Sequence, residues 1–211
     1  MGAATGRFAE VAQLGTGPVS DAMEQLGLPR AVLTGWRFIS REQTAAIVGP
    51  AYTLRQAAKG PGIAHGEDRM RQRDVAAELA QPGDVIVIDV DGRVDVCTWG
   101  ENHSQRAQSR GIAGLVVHGA VRDSAWIERL GFPVLCRGVS PVASRWDLES
   151  VAVNESVSIE GVTIRPGDLV YGDADGVLII PAEQIDAVLD RARAVHQTEE
   201  RSRTELYGQG R

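Results

Sequence analysis

The feature that most constrains the fold is an alternation of apolar runs and amphipathic stretches between Pro82 and Cys136. The apolar runs, which predict strands, are residues 85–89, 112–118 and 133–136, and the stretches that predict helices are residues 101–110 and 124–130. A run that is apolar up to Asp89 is typical of a strand buried on both faces. The strand, helix, strand order favours parallel strands joined by right-handed crossovers. This segment therefore predicts an α/β fold.

Length and composition fit one globular domain. The chain has 211 residues, of which 43% are hydrophobic and 24% are charged, and such a chain can bury a core of ordinary size. Its apolar stretches fall short of the roughly 20 residues that a membrane span needs. Residues 1–7 are not followed by a long apolar segment. We therefore expect a cytoplasmic protein with no membrane partner.

The net charge argues against a nucleic-acid partner. The formal charge is −6 at pH 7, whereas a nucleic-acid surface is usually a basic stripe that displaces counterions from phosphates. A small anionic substrate is still compatible with this charge, because a single arginine in a pocket binds a carboxylate through local geometry.

The cysteines and histidines predict neither a disulfide nor a zinc site. Cys97 and Cys136 are far apart and each lies near a predicted strand, which favours reduced, buried thiols. The histidines lack the spacing of zinc ligands. They are His65, His103, His118 and His196.

Three further elements are predicted before the alternating segment. Residues 16–26 form a helix, with Pro18 near its start and Gly27 as its stop. A strand is expected over residues 45–54 and a helix over residues 70–79.

The C-terminal part predicts a long helix whose two halves differ. From Ala182 the apolar residues recur at helical spacing, whereas the continuation after residue 196 is almost entirely polar. We expect a single domain over residues 1–196 and a polar helical extension over residues 197–211. This extension is either a solvated tail or a segment that packs on a neighbouring subunit.

An internal repeat is also present. Residues 82–92 and 166–176 share Pro-Gly-Asp, Asp-x-Asp-Gly and the spacing between them. Two similar β-hairpin units are predicted, with Asp-Gly at the turns. A calcium loop is disfavoured, because Gly100 and Gln184 stand where the bidentate glutamate of such a loop is expected.

Arg122 and Asp123 are the strongest candidates for a functional site. The pair lies where an apolar strand gives way to a helical pattern, and ligands of open α/β sheets collect at such strand ends. Upstream, residues 98–104 read Thr-Trp-Gly-Glu-Asn-His-Ser, a glycine turn that begins a helix and so leaves backbone N–H groups free for an anion. We expect the loop at residues 100–103 and the pair to face one crevice, where they could hold a metal and the anion that binds it.

Each of these residues also has a structural interpretation that the sequence leaves open. Asp123 is equally consistent with a helix N-cap, and Arg122 with a solvated side chain. Glu101 is either a catalytic base or a carboxylate that favours the helix dipole. His103 and His118 are more often structural than catalytic in such positions.

With these residues in place, the chain resembles the RraA-like family, which includes class II pyruvate aldolases acting on 4-hydroxy-4-methyl-2-oxoglutarate and regulators of ribonuclease E activity. The resemblance spans nearly the whole chain and is specific in order and spacing. The segments that carry it are residues 19–23, 26–27, 49–53, 82–85, 110–114, 119–123 and 166–181.

The resemblance implies a three-layer ββα swivelling-domain fold with mixed sheets, assembled as a homotrimer or a dimer of trimers with active sites between subunits. It also implies that Asp123 binds Mg²⁺ or Mn²⁺, that Arg122 contacts a small 2-oxo acid substrate, and that residues 100–103 cradle pyruvate. These residues are Gly100, Glu101, Asn102 and His103. One carboxylate with several retained waters is a normal way to hold Mg²⁺.

This sequence departs from the family pattern at two positions. Trp126 stands where the aldolase signature Arg-Asp-x-x-Glu/Asp has its acid, and Glu101 stands where many relatives have a second glycine. In some relatives a C-terminal carboxylate of a neighbouring subunit supports the metal, and Glu199 or Glu200 is expected to do so here.

The function that the resemblance implies is metal-dependent cleavage of 4-hydroxy-2-oxo acids to pyruvate, with oxaloacetate decarboxylation as a side activity. Arg122 and Glu101 are the expected catalytic residues. A Schiff-base aldolase is disfavoured, because Lys59 is the chain's only lysine and lies well upstream of the site. The alternative is a non-enzymatic regulator that binds a ribonuclease or helicase.

Overall fold

The computed structural model describes residues 8, 11–42, 46–60 and 67–208; Ala45, His65 and residues 209–211, which figure in the sequence predictions, lie outside this part of the chain. The helices are α1 (Thr16–Gln25), α2 (Gln72–Asp74, continued by a π-helical turn Val75–Leu79), α3 (Glu101–Ser109), α4 (Ser124–Leu130) and α5 (Ile185–Tyr207). Short 3-10 turns lie at Val11–Gln13, Ser144–Trp146 and Ala182–Gln184.

Twelve strands are described. They are β1 (Val32–Leu33), β2 (Arg37–Ile39), β3 (Ile47–Ala58), β4 (Val85–Asp89), β5 (Cys97–Trp99), β6 (Gly114–Val121), β7 (Val134–Val139), β8 (Leu148–Val153), β9 (Val157–Ile159), β10 (Val162–Ile164), β11 (Leu169–Asp173) and β12 (Gly176–Ile180). The main sheet has the order β1-β12-β11-β3-β4-β6-β7-β2, with β5 beside β6 and β8 beside β3, and β9 and β10 form a separate hairpin.

The sheet is mixed, as the sequence predicts. Strands β3, β4, β6 and β7 run parallel as neighbours, and β5 is parallel to β6. The pairs that β11 makes with β3 and β12 are antiparallel. The long strand β3 joins the two regions, because its first residues pair with β11, its middle with β4 and its end with β8.

Alternating side chains build a layered core. In β4, Ile86 and Ile88 pack in a cluster with residues of α2, α3 and α4, whereas Val85 and Val87 pack with β9, β10, β11 and β12. Successive side chains of a strand point to opposite faces, so β4 has helices on one side and further strands on the other. This arrangement explains why the run up to Asp89 is apolar at every position.

A second helical layer covers the outer face of β11 and β12. Leu169 and Tyr171 pack in a cluster with residues of α1 and α5. The Tyr171 hydroxyl donates to the Val11 carbonyl at 2.6 Å and accepts the Gly15 N–H at 3.0 Å, which ties the start of α1 to the sheet. Burial raises the pKa of Tyr171 to about 12, so this hydroxyl keeps its proton.

The predicted elements correspond closely to those observed in the alternating segment. The strand Val85–Asp89 and the helix Ser124–Leu130 have the predicted bounds. The strand predicted over residues 112–118 instead spans Gly114–Val121, so it ends directly before Arg122. Sequence reasoning missed β5, a three-residue strand that ends directly before Gly100.

The two Pro-Gly-Asp segments share a local geometry. Gly83 and Gly167 both have positive φ, at 90° and 89°. In each segment the following aspartate accepts the backbone N–H three residues earlier, Asp84 from Gln81 at 2.7 Å and Asp168 from Arg165 at 2.8 Å.

The continuations of these segments differ, and one predicted hairpin is absent. After Asp168 the chain forms the antiparallel hairpin of β11 and β12. After Asp84 it forms β4, whose neighbours β3 and β6 are both parallel to it. The Asp91-Gly92 turn therefore leads away from β4 towards β5 instead of closing a hairpin, because both edges of β4 are already paired.

The C-terminal helix α5 runs without interruption through residue 197. Its first half packs on α1 through Ile185, Val188 and Leu189, whereas Leu206 and Tyr207 are 75% and 82% exposed.

None of the described helices is both long and apolar enough to cross a bilayer. Cys97 and Cys136 are buried free thiols, and burial raises the pKa of Cys136 to about 11.

Candidate functional site

Arg122 and Asp123 lie at the carboxyl end of β6, next to the end of β5. The two strands are parallel, with Trp99 opposite Val121. The Arg122 N–H donates to the Trp99 carbonyl at 2.9 Å, which continues the pairing one residue past β6. The segment that precedes α3 and the segment that precedes α4 therefore leave the sheet side by side.

Asp123 occupies the N-cap position of α4 but does not cap it. Its φ and ψ are 57° and 33°, in the left-handed region, and its carboxylate makes no capping hydrogen bond. Asp and Asn enter this region more readily than other residues with a side chain, at a cost of up to about 1–2 kcal/mol. The turn brings Asp123 Oδ2 to 3.4 Å from Arg122 Nε, so both side chains reach the same side of the chain.

Gly100 is in direct contact with this pair. Its backbone is extended, with φ of −160°, so conformation does not require glycine here. A Cβ on Gly100 would lie 2.9 Å from Asp123 Oδ2 and 3.0 Å from Arg122 Cγ. The Glu101 N–H donates to Asp123 Oδ2 at 3.4 Å. The structure thus brings together the glycine loop and the charged pair that the sequence places twenty residues apart.

Buried hydrogen bonds fix the loop before α3. The indole Nε1 of Trp99 donates to Ser104 Oγ at 2.9 Å, and Ser104 Oγ donates to the Gly100 carbonyl at 3.2 Å. Trp99 and Ser104 are almost completely buried. The position of Gly100 against Asp123 is therefore set by the core beneath it.

His103 lies above Trp99 and is held neutral. The two ring centroids are 5.2 Å apart at an interplanar angle of 39°. Burial, followed by the nearby guanidinium groups of Arg106, Arg122 and Arg73, lowers the pKa of His103 from 6.5 to about 4. At neutral pH the ring carries no charge, so it can contact a substrate only as a neutral imidazole.

The other two residues of the predicted loop lie at the margin of the site. The Glu101 carboxylate accepts the side-chain N–H of Gln105 at 3.3 Å. Asn102 is exposed, and its carbonyl accepts from Arg106 at 3.0 Å. Neither side chain lines the clefts described next.

Arg122 lines two surface clefts. The smaller one, of about 280 Å³, is lined by Arg122, Asp123, Val139, Ser140 and Pro141. The larger one has a volume of about 540 Å³. It is lined by Asp68, Met70, Gln72, Arg73, Asp74, Cys97, Thr98, Trp99, Gly100, His103, Arg122, Ala143, Ser144 and Arg145.

Most of the larger cleft was not predicted from the sequence. Arg73 comes from α2 and Arg145 from the turn Ser144–Trp146, two segments without a recognisable motif. The floor is polar and internally bonded. Thr98 donates to the buried side chain of Gln56, and the Gln56 side-chain amide donates to Gln72 Oε1 at 3.2 Å. Of these three floor residues, only Thr98 could be linked to the site from the sequence, because it lies beside the glycine loop.

Trp126, which replaces the signature acid, lines neither cleft. Its backbone N–H donates to the Asp123 carbonyl at 2.9 Å, as part of the first turn of α4. The guanidinium of Arg129 lies 4.9 Å from the centre of the indole ring, which is 54% exposed. The ring does not line the cleft that contains Asp123.

Metal-ligating side chains are sparse in this region. Within the part of the chain that the structure describes, no group of three or more His, Cys, Asp or Glu side chains could hold a metal ion. Glu199 and Glu200 lie on α5, where Glu200 pairs with Arg203. Neither of them contacts Arg122 or Asp123 among the described residues of this chain.

A second charged cluster lies inside the sheet, away from the clefts. Asp89, at the end of β4, is completely buried and pairs with Arg55. His118 Nδ1 lies 2.9 Å from Asp89 Oδ1, and the His118 ring stacks on Trp36 with centroids 5.6 Å apart. His118 is therefore a partner of a buried carboxylate, which agrees with the structural interpretation of this residue.

Comparisons with known proteins agree with this architecture. A family model described as RraA-like, Aldolase/RraA, matches residues 16–179. A Halalkalibacterium halodurans protein provisionally named 4-hydroxy-4-methyl-2-oxoglutarate aldolase is 42% identical over 147 residues, which is 70% of this chain and 65% of that protein. Protein DlpA of Legionella pneumophila is 32% identical over 191 residues, covering 89% of this chain and 29% of that protein. The chain thus spans less than two thirds of the length of these curated relatives.

A solved structure gives the same result for the fold. Streptomyces coelicolor RraAS2, described as an unusual member of the RNase ES inhibitor RraA protein family, superposes with a TM-score of 0.77 at 29% identity. The match covers 92% of this chain and 96% of that chain. The mixed α/β fold expected from the sequence resemblance is confirmed. On these grounds the chain belongs to the RraA-like family.

Proposed function

We propose that this chain is a divalent-metal-dependent aldolase that cleaves 4-hydroxy-2-oxo acids such as 4-hydroxy-4-methyl-2-oxoglutarate and releases pyruvate. Oxaloacetate decarboxylation is the expected side activity, because both reactions pass through the enolate of pyruvate. The provisional aldolase name of the Halalkalibacterium halodurans relative supports this reaction class.

The observation that carries the proposal is the conformation of Asp123. A helix-capping aspartate would accept an N–H of the first turn, whereas Asp123 is in the left-handed region and makes no such bond. Strain of this kind concentrates at functional sites. The carboxylate lies instead against Gly100 and Arg122, at the edge of a cleft.

The donor set fits Mg²⁺ or Mn²⁺ better than zinc. Zinc sites use three or four His, Cys or acidic side chains, and no such group exists among the described residues. Mg²⁺ is commonly bound by one or two carboxylates and keeps several waters. Asp123 can supply that carboxylate, since its side chain is 38% exposed and lines the smaller cleft.

The chain's own residues then act on the pyruvate half of the substrate. When bound at Asp123, a divalent cation supplies the Lewis acidity that polarises the 2-oxo group. Arg122 lies beside Asp123 and lines both clefts, so its guanidinium can hold the substrate carboxylate and stabilise the negative charge of the enolate. Glycine at position 100 allows the side chains of Arg122 and Asp123 to pack closely against the loop.

Glu101 is the proposed general base, acting directly or through a water. It takes the proton of the 4-hydroxyl group, the C3–C4 bond breaks, and the bonding electrons pass into the enolate of pyruvate. Protonation of C3 then completes pyruvate, and the other half leaves as an oxo compound. Oxaloacetate loses CO₂ from the same position and needs no base, so that reaction should tolerate the loss of Glu101.

The proposed assembly is a homotrimer or a dimer of trimers. In that arrangement Glu199 or Glu200 would approach the metal of a neighbouring subunit through a water. Both residues lie on the polar half of α5, where Glu200 is exposed and Glu199 is half-buried, and this position is compatible with the role. It also supports a boundary at residue 196 between the core domain and an extension that packs on another subunit.

Similarity to RraAS2 favours a second candidate, a regulator that binds a ribonuclease or helicase without catalysis. Pyruvate release from 4-hydroxy-4-methyl-2-oxoglutarate and from oxaloacetate, measured with Mg²⁺, with chelator and after Mg²⁺ is restored, discriminates between the two. We expect activity that chelator abolishes and that Asp123→Ala lacks. Absence of activity on both substrates, or full activity in Asp123→Ala, would overturn the aldolase proposal and favour the regulator.

A further inference from the structure

A cavity separate from both clefts lies between the end of α1 and the edge strand β1. This α1–β1 pocket has a volume of about 410 Å³, and none of its lining residues lines a cleft of the candidate site. Its lining includes Met23, Glu24, Leu28, Arg30 and Leu178. In the main sheet, β12, β11, β3 and β4 stand between β1 and β6. Pockets of roughly 300–1,000 Å³ are typical of small-molecule sites, so the cavity has room for a second small ligand.

The floor of the α1–β1 pocket is apolar and belongs to the core. Met23 and Leu178 are almost completely buried in the cluster that joins α1 and α5 to the sheet, and Leu28 packs against the same cluster. Apolar surface that is exposed in an empty pocket leaves water when an apolar group covers it, which is favourable. The floor therefore favours a ligand with an apolar side chain.

Backbone hydrogen bonds fix both walls of the pocket. At the end of α1 the Leu28 N–H donates to the Met23 carbonyl at 3.0 Å, across Gly27, whose φ is 69°. This Schellman turn ends the helix and sets the path of the chain around the pocket. On the other side, the Ile179 N–H donates to the Ala31 carbonyl at 2.9 Å, which ties the chain before β1 to β12. The pocket is thus preformed, and a ligand does not have to order it.

Two charged side chains of opposite sign line the pocket. They are Glu24, in the last turn of α1, and Arg30, two residues before β1. Within the described part of the chain, neither side chain forms a hydrogen bond or an ion pair. The end of α1 adds partial negative charge near Glu24, because the dipole of a helix is negative at its C-terminus. The lining thus offers one negative and one positive group beside an apolar floor.

We propose that the α1–β1 pocket binds a free α-amino acid with an apolar side chain, such as leucine or phenylalanine. The side chain packs on the apolar floor. The carboxylate pairs with Arg30, and the ammonium group pairs with Glu24 at the negative end of α1. A carboxylic acid or an amine of similar size would leave one of the two charges without a counterion, so charge complementarity favours the zwitterion. This ligand is distinct from the substrate of the proposed aldolase reaction, which binds beside Arg122.

The test compares L-leucine with ligands that each lack one of its groups. 4-Methylpentanoate lacks the ammonium group, 3-methylbutan-1-amine lacks the carboxylate, and glycine lacks the side chain. Their binding to the full chain is measured by calorimetry in the wild type, Glu24→Gln, Arg30→Gln and Asp21→Asn. All of these positions are exposed, so folding tolerates the substitutions. Asp21 is the matched control, because it is an acidic residue of α1 that does not line the pocket.

We expect the wild type to bind L-leucine more tightly than each of the three analogues. Glu24→Gln and Arg30→Gln should each weaken L-leucine binding by about 3- to 10-fold, the loss of one partly exposed charge pair, whereas Asp21→Asn should leave it unchanged. Wild-type affinity for L-leucine in both Glu24→Gln and Arg30→Gln would overturn the assignment. Equal binding of L-leucine and 4-methylpentanoate by the wild type, or binding of neither L-leucine nor L-phenylalanine, would overturn it as well.

Discussion

Arg55 and Asp89 form an ion pair inside the sheet, whereas Arg122 and Asp123 form one at the end of β6. Asp89 is completely buried and is also bonded to His118, and its neighbour Asp91 donates a backbone N–H to it at 2.9 Å. The carboxylate of Asp123 is 38% exposed, lies 3.4 Å from Arg122 and adopts a strained backbone. The carboxylate of Asp89 is thus fully bonded in the core, whereas the carboxylate of Asp123 is partly open to solvent and can accept further bonds.

The difference separates a structural role from a functional one. A buried carboxylate must be fully bonded, because an unpaired charge in the core is costly. An exposed carboxylate has no such requirement, and the contacts of Asp123 with Gly100, the Glu101 N–H and Arg122 leave 38% of its side chain exposed. Matched substitutions at the two pairs can therefore separate the two roles.

The largest expected effect is on stability at the buried pair. Asp89→Asn removes the charge that Arg55 and His118 face, and we expect it to lower the free energy of unfolding by about 3 kcal/mol. Asp123→Asn should change it by less than about 0.5 kcal/mol, as is usual at exposed positions. Urea denaturation of both variants measures the difference. Equal losses at the two sites would contradict the assignment of a structural role to Asp89 and a functional role to Asp123.

His103, which lines the same cleft as Arg122, adds a pH dependence to the comparison. His103 has its pKa lowered from 6.5 to about 4 by burial and by Arg106, Arg122 and Arg73. Between these two values the unfolded chain binds a proton that the folded chain does not, so the free energy of unfolding rises with pH across this window. We expect His103 to contribute on the order of 2 kcal/mol to this rise.

His103→Gln should therefore flatten the dependence of stability on pH between pH 4 and 6.5. Denaturation curves of the variant and the wild type, recorded at several pH values, measure it. A variant with the wild-type slope in this window would show that His103 is not held neutral in the folded protein.

A smaller effect is expected when the space beside the exposed pair is filled. In Gly100→Ala the new methyl would lie 2.9 Å from Asp123 Oδ2, so the carboxylate has to move. We expect kcat/KM for pyruvate release to fall about tenfold or more, since displaced catalytic groups lose their geometry. Gly17→Ala is the control, because its Cβ has nothing within 4 Å and it lies in α1. Similar activities of the two variants would contradict the tight fit at Gly100.

The smallest effect concerns the backbone strain at Asp123. Glycine adopts the left-handed region at no steric cost, whereas alanine does not. We therefore expect Asp123→Gly to be more stable than Asp123→Ala by about 1 kcal/mol, with both variants inactive. Equal free energies of unfolding would mean that the backbone relaxes out of the left-handed region once the carboxylate is gone.

Part of this structure was predictable from local sequence patterns. The strand Val85–Asp89 and the helix Ser124–Leu130 were found with their observed bounds, because apolar periodicity and the stop at Gly131 are local signals. The hairpin predicted after Pro82 was wrong, because Asp-Gly turns look alike whether the strand before them has free edges or not. Pairing partners are set by tertiary structure, which a short repeat does not encode.

The candidate site shows the same limit. Gly100 and Asp123 were predicted to meet, because parallel strands end at a common edge. The contributions of Arg73 and Arg145 were missed, since neither residue belongs to a motif that indicates a ligand site. The left-handed conformation of Asp123 was also invisible, because aspartate before a helix normally signals a cap.

Binding of Mn²⁺ is the decisive measurement for the proposed role of Asp123. Free Mn²⁺ is measured by electron paramagnetic resonance during titration of the wild type, Asp123→Asn and Asp89→Asn, in the presence of pyruvate. We predict that the wild type and folded Asp89→Asn bind the ion, and that Asp123→Asn binds it about 10- to 100-fold more weakly. Mn²⁺ binding by Asp123→Asn with the wild-type affinity would show that the exposed pair does not hold the metal.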